Sequence, residues 1–230
     1  MISLRNRNGE FSGLFLAIAC LFVSCLLISN IIAGKLIAVH GLVLPAAVIL
    51  FPVTYIFGDV MTEVYGFKRA RLVIWIGFAC NLLMALVFIA TIALPSPGFW
   101  QGQSAYASVL GMTPRIVAAS LLAYFLGEWS NAAILSRMKI VTDGRWLWTR
   151  TITSTVVGEG LDTVIFIGIA FGGMLTWPIL GQMMLAQYLW KVSYEVLLTP
   201  LTYFVVGRLK AREDIDIFDN NVSYNPFKLG

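Results

Sequence analysis

Six stretches of this chain, at about 11–34, 43–65, 70–94, 113–136, 149–174 and 178–207, are continuous and mostly apolar. Each is long enough to cross a bilayer core, which takes about 20 apolar residues. Barrel strands are shorter and alternate in polarity, so these runs predict α-helices that satisfy their own backbone polar groups. The expected fold is all-α: a polytopic membrane protein with six transmembrane helices in one domain over 1–210 and a cytoplasmic tail over 211–230. Composition agrees, with 59% hydrophobic and only 12% charged residues, against about 25% charged in soluble domains. Arg5 and Arg7 precede the first run as in a signal peptide. That run is too long for one and no small-residue cleavage site follows, so it reads as helix 1.

Basic residues set the orientation. Arg5 and Arg7, then Lys68, Arg69 and Arg71, then Arg137, Lys139, Arg145 and Arg150, and finally Arg208, Lys210, Arg212 and Lys228 fall on one side. They are 13 of the 16 Lys and Arg. Lys35 and Arg115 fall on the other side and Lys191 within helix 6. Both termini are therefore expected to be cytoplasmic, in a cell inner membrane. The 95–112 connection, rich in Gly, Pro and Ser, is expected on the outer surface as a loop and candidate gate. The tail from Glu213 to Gly230 is polar and is expected to be poorly ordered.

Several function classes drop out. Net charge is +4 without a basic run, which argues against a nucleic-acid partner. Cys20, Cys25 and Cys80 lie in apolar segments and form no paired framework. A single histidine, His40 in a loop, rules out a His-rich zinc site or a Ser/His dyad. No phosphate-loop Lys-Ser/Thr follows the Gly pairs. No enzyme, metal or cofactor is expected.

What remains is a set of polar residues inside the spans. Glu159 and Asp162 fall near the midplane of helix 5, and Lys191 and Glu195 are similarly central in helix 6. Glu128 and Asn131 lie in the cytoplasmic half of helix 4, and Asp59 and Glu63 near the cytoplasmic end of helix 2. Asn81 is mid-helix 3 and Asn30 is in the outer half of helix 1. Spacings of three or four place each pair on one helical face. A charge at mid-bilayer costs at least ~2.5–3.5 kcal/mol, and Lys191 neutralises only one of six acids. The others are expected to line a polar cavity in the bundle. Simpler partnerships also fit: Lys191 with Glu195 along one helix, Asp59 and Glu63 with Lys68, Arg69 or Arg71, and the asparagines as interhelical hydrogen bonds. Tyr188, Trp190, Tyr194, Trp129 and Phe166 are near the cluster in sequence. Carboxylates beside aromatic rings suit a flat, guanine-like heterocycle, held by its N–H edge and stacked on its faces.

The motifs GDVMTEVYGFKRAR (58–71), GEWSNAAILSRMK (127–139), STVVGEGLDTVIF (154–166) and QYLWKVSYEVLLTPLTY (187–203) resemble those of the bacterial vitamin uptake transporter family, also called queuosine-precursor transporters. The resemblance runs from SNIIAGKLI (29–37) through helix 6. It implies a six-helix inner-membrane importer of 7-deazaguanine bases. It also implies polar motif positions at Asn30, Lys35, Asp59, Glu63, Glu128, Asn131, Glu159, Asp162, Gln187, Lys191 and Glu195. On this basis Glu159 and Asp162 are expected to meet the pyrimidine edge, with Glu128, Asn131 and Gln187 adding hydrogen bonds. Tyr188 or Trp190 would stack, and Lys191 would exchange partners between states. A homodimer and proton coupling are both compatible with this scheme. The alternative is a substrate-binding membrane subunit driven by a separate ATPase.

Overall fold

A computed structural model describes residues 12–33, 35–39, 42–111, 114–220 and 222–225. In chain order the elements are α1 (Gly13–Ile32), β1 (Leu36–Val39), β2 (Leu42–Pro45), a 3-10 turn (Ala46–Ile49), α2 (Phe51–Tyr65), α3 (Phe67–Ala93), α4 (Gln103–Leu110), α5 (Pro114–Val141), α6 (Leu147–Phe171) and α7 (Trp177–Glu213). The architecture is helical, with one antiparallel hairpin pairing Leu36 with Pro45 and Val39 with Leu42. Arg5, Arg7, His40 and Lys228 lie outside the described residues.

Local chemistry explains most boundaries. The hydroxyl of Ser12 accepts from the Phe15 N–H at 3.1 Å and caps α1. Pro52 sits in the first turn of α2, where its missing N–H costs nothing. Gly66, at φ 83°, makes the sharp reversal from α2 to α3 in the left-handed region open to glycine. The expected helix 2 begins late, at Phe51, because the apolar run from Leu42 is a strand and a 3-10 turn instead. A short apolar run does not by itself separate strand from helix. The connection after α3 carries α4, pinned to the end of α3 by Gln103, whose side-chain N–H donates to the Ile92 carbonyl at 2.9 Å.

Three helices, α1, α3 and α6, are long and apolar enough to cross a membrane. Beside an apolar core the bundle buries ionisable side chains, and it turns large apolar ones outward. Asp59, Glu128, Glu159, Asp162, Lys191 and Glu195 are buried, while Leu83, Leu86, Val164, Leu185 and Leu197 are more than half exposed. That arrangement suits lipid, which offers apolar side chains a solvent and polar ones none.

The closest helix pair is α5 with α6. Gly127 and Gly158 make that approach: a Cβ on Gly158 would lie 2.8 Å from the Asn131 Cβ and 2.9 Å from the Gly127 carbonyl oxygen. Small residues at such crossings let backbones meet and bring their polar neighbours together.

Candidate functional site

One buried stripe of α6 carries Thr155, Gly158, Glu159, Asp162 and Thr163. One buried stripe of α7 carries Gln187, Lys191, Glu195 and Thr199, each four residues from the last. The two stripes face each other. The Lys191 ammonium donates to Asp162 Oδ2 at 2.6 Å and lies 2.7 Å from Glu159 Oε2. The Glu159 contact is an ion pair without hydrogen-bond alignment. The ammonium also sits 4.4 Å from the centre of the Phe51 ring, a favourable cation–π placement. Lys191 thus answers two acids rather than one, and it reaches across to α6 instead of along α7 to Glu195.

Lys191 also forms part of the wall of a cavity of about 50 Å³, lined by Ser29, Asn30, Phe51, Ser120, Phe166 and Gln187 among others. This is space for water, and less than a two-ring heterocycle needs. The bundle is closed around its site. Above it, Asn30 joins α1, α3 and α5: its side-chain N–H donates to Asn81 Oδ1 at 2.9 Å, and its oxygen accepts from Ser120 Oγ at 2.8 Å.

A second layer lies behind the ion pair. The Asn131 side-chain N–H donates to Asp59 Oδ1 at 2.6 Å. Both carboxylate oxygens of Glu128 and of Glu195 are buried without a hydrogen-bond partner, as are Asp59 Oδ2 and the Tyr55 hydroxyl.

Glu63 belongs elsewhere. It is held at the C-terminal end of α2 by Arg150, through both guanidinium branches, and by Lys210 at 2.6 Å, with Lys139 3.6 Å away. Its expected partners Lys68, Arg69 and Arg71 do not supply these bonds. The tail, expected to be poorly ordered, is packed over this cluster. Asp219 is buried and accepts from the Phe67 N–H at 2.8 Å and the Ser136 hydroxyl at 2.6 Å. Arg71 donates to the Ser223 and Asn225 carbonyls at 2.7 and 2.8 Å. Order follows because Asp219 and the Ser223 and Asn225 carbonyls meet donors of the bundle, Phe67 N–H being one of the unpaired amides of a helix first turn.

Three more expected site residues, besides Glu63, are not brought in. Lys35 is exposed ahead of the hairpin. Tyr188 lies on the outer flank against Gly160. Trp190 is partly exposed, and its indole N–H donates to the Val48 carbonyl at 3.3 Å. Phe51 and Phe166 occupy the place reserved for stacking, since Tyr188 and Trp190 sit off the stripe on which Lys191 points inward. Phe51, Tyr55, Ser120 and Arg150 were not singled out from sequence. Their signal was weak: an aromatic, a hydroxyl or an interfacial Arg is ordinary in a membrane helix.

The sequence profile described as "Putative vitamin uptake transporter" matches residues 45–205. The chain belongs to the vitamin uptake transporter family. Together with its apolar helices, membership makes the protein a multi-pass protein of the inner membrane, in a family of transporters rather than enzymes. It is 27% identical over 175 residues to the "Probable queuosine precursor transporter" of Bacillus subtilis (strain 168), covering 76% of each chain. It is 31% identical over 121 residues to the "Queuosine precursor transporter" of Escherichia coli (strain K12), covering 53% of this chain and 52% of the relative. No solved structure matches it. The family match spans α2 to α7 and so contains Asp59, Glu128, Glu159, Asp162, Lys191 and Glu195; Asn30, Lys35 and the tail lie beyond it.

Proposed function

We propose that this transporter imports a planar, guanine-like base, a 7-deazaguanine precursor of queuosine, as a secondary transporter with a midplane site. The observation that carries the proposal is Lys191, which bridges Glu159 and Asp162 and also lines a small, largely apolar cavity with Gln187, Asn30, Phe51 and Phe166. A guanine-like edge offers adjacent N–H donors that match a carboxylate bidentately. Such a ligand would take carboxylate oxygens now held by the ammonium, while Phe51 or Phe166 covers its face. The names of the two relatives support the same substrate class.

The closed cavity fits one state of an alternating-access cycle, in which gates on either side of a fixed midplane site open in turn. The outer cover would be the β1–β2 hairpin and the 3-10 turn. The inner seal would be the Glu63 cluster with its tail. Six spans with both termini cytoplasmic fit this scheme. The helices α2, α5 and α7 would be the other three, with their buried polar residues on stripes that face inward. The basic excess at the inner ends supports the orientation.

The test is uptake of radiolabelled 7-cyano-7-deazaguanine by deletion cells and by purified protein in liposomes. Removing a charge-assisted hydrogen bond costs ~1.5–3 kcal/mol, so Asp162→Asn and Glu159→Gln are each expected to lower uptake about 10- to 100-fold at normal membrane levels. Normal import by both variants would discard the site. Liposome uptake without any ATPase is expected, and its failure beside normal cellular uptake would favour the ATP-driven alternative.

A further inference from the structure

We propose that Glu128 is a proton-carrying site, distinct from the substrate cavity, that couples import to the transmembrane proton gradient. The proposal rests on the transport function above. It starts from charge. Asp59, Glu128, Glu159, Asp162 and Glu195 are all buried in the bundle, and Lys191 is the one cation buried among them in the described residues. Its ammonium is already committed to Glu159 and Asp162.

Of the remainder, Glu128 and Glu195 both lack hydrogen-bond partners on their carboxylates, and Glu128 is the one whose neighbour Gly127 packs on Asp162. Glu128 is 1% exposed. Its carboxyl group lies against Gly58 of α2, whose missing side chain leaves the only room for it: a Cβ there would overlap Oε1 and come 3.1 Å from Cδ. The titratable groups that face it are Glu159 and Asp162 from α6, Glu195 from α7, Asp59 and Tyr55 from α2, and Tyr124 one turn earlier on α5. All are acids or phenols, and Lys191 beyond them is engaged. An ionised carboxylate without donors in an apolar interior costs many kcal/mol and takes up a proton instead. Glu128 therefore carries its proton in this closed state.

Coupling follows from position. Gly127, beside Glu128 in sequence, packs on the Asp162 Cβ, where an added Cβ would lie 2.9 Å away. The proton site thus abuts the acids that would hold the substrate. A ligand whose N–H groups pair with Glu159 and Asp162 keeps them anionic, which keeps the Glu128 proton in place. Opening of the inner seal lets water reach Glu128. The O–H bond then breaks, the proton passes to cytoplasmic water, and Lys191 returns to both acids as the base leaves. One proton bound from outside leaves inside with one substrate.

The experiment uses the full chain in proteoliposomes with radiolabelled 7-cyano-7-deazaguanine, an acid-outside gradient and, separately, exchange against preloaded base. Wild type is expected to do both. Glu128→Gln, which has the shape of the protonated acid, is expected to lose gradient-driven accumulation by a far larger factor than it loses exchange, so that its uptake no longer responds to the acid-outside gradient. Accumulation by this variant at the wild-type level, or accumulation and exchange lowered by the same factor, would overturn the proton site. Wild type that neither accumulates nor exchanges would overturn the transport function itself. A pH-sensitive dye supplies a readout independent of the variant: adding base to wild-type vesicles is expected to alkalinise the medium, and exchange without alkalinisation would reject coupling.

Discussion

The Lys191 cluster and the Glu63 cluster of this bundle are built on opposite charge arithmetic. In the first, one cation, Lys191, faces Glu159 and Asp162 with further acids behind them. In the second, one acid, Glu63, faces Arg150, Lys210 and Lys139, and Lys139 and Lys210 also share Asp216 of the tail. Both Glu63 oxygens are hydrogen-bonded, whereas those of Glu128 and Glu195 have no partners. A satisfied hub joining α2, α5, α6, α7 and the tail holds helices together. An unsatisfied one is, on our proposal, kept for a proton or a substrate. Burial alone does not separate the two, since Glu63 and Glu128 are equally inaccessible; the state of their partners does.

The largest expected effect breaks the hub. Glu63→Gln leaves buried cations without their anion, and losing one partner of a buried pair costs ~3–5 kcal/mol. A marked drop in thermal midpoint of the detergent-solubilised protein is expected. Asp162→Asn, despite its uptake loss, is expected to change that midpoint far less, because Lys191 keeps Glu159. Equal destabilisation by the two variants would erase the distinction between seal and site.

Next in size is the tie between tail and bundle. Asp219→Asn exchanges a carboxylate that accepts two hydrogen bonds for a weaker neutral acceptor, at a cost of ~1–3 kcal/mol. Faster hydrogen exchange over 214–225 is the measurement, with little change in α6. Unaltered protection there would mean that Arg71, Lys139 and Tyr224 suffice to hold the tail.

How far this contrast could be read in the sequence depends on the residue. Gln187, Lys191 and Glu195 at four-residue intervals, and Glu159 with Asp162, declare an inward stripe because lipid leaves them no other direction. Which partner Lys191 takes is tertiary. Its reach to α6 depends on how α6 and α7 sit together, and the approach of Gly127 to Gly158 that sets α6 against α5 is invisible in either helix alone. Tyr188 and Trp190 are neighbours in sequence to the stripe but lie off it by rotation about α7. The hairpin was hidden inside an apolar run, and the tail's order was hidden because its polar composition resembles that of a disordered end. Most of its partners, an amide, a hydroxyl, a guanidinium and an ammonium, lie more than 75 residues away in sequence, as Lys139 and Asp216 illustrate.

The smallest expected effect tests whether charge holds the tail at all. Asp216 lies outside the helices. Burial pushes its carboxyl up, but hydrogen bonds from Lys139 and Lys210 outweigh that, and the net displacement is below its ordinary value. Lys139 is also shifted down, since desolvation outweighs the attraction of Glu63 and Asp216, so the gain on one partner is offset on the other. With 45% of the Asp216 side chain exposed, the pair is worth less than about 1 kcal/mol. A carboxyl whose folded value lies below its unfolded value of about 3.9 stabilises fully above that pH, and the contribution is lost as pH falls through the folded value. Asp216→Asn is therefore expected to melt slightly below wild type at neutral pH, with the two converging on acidification below about pH 4. A gap that survives in acid would mean that Asp216 acts through the shape of its hydrogen bonds rather than its charge. The seal would then be insensitive to pH on the same side of the membrane where the midplane acids are proposed to release their proton.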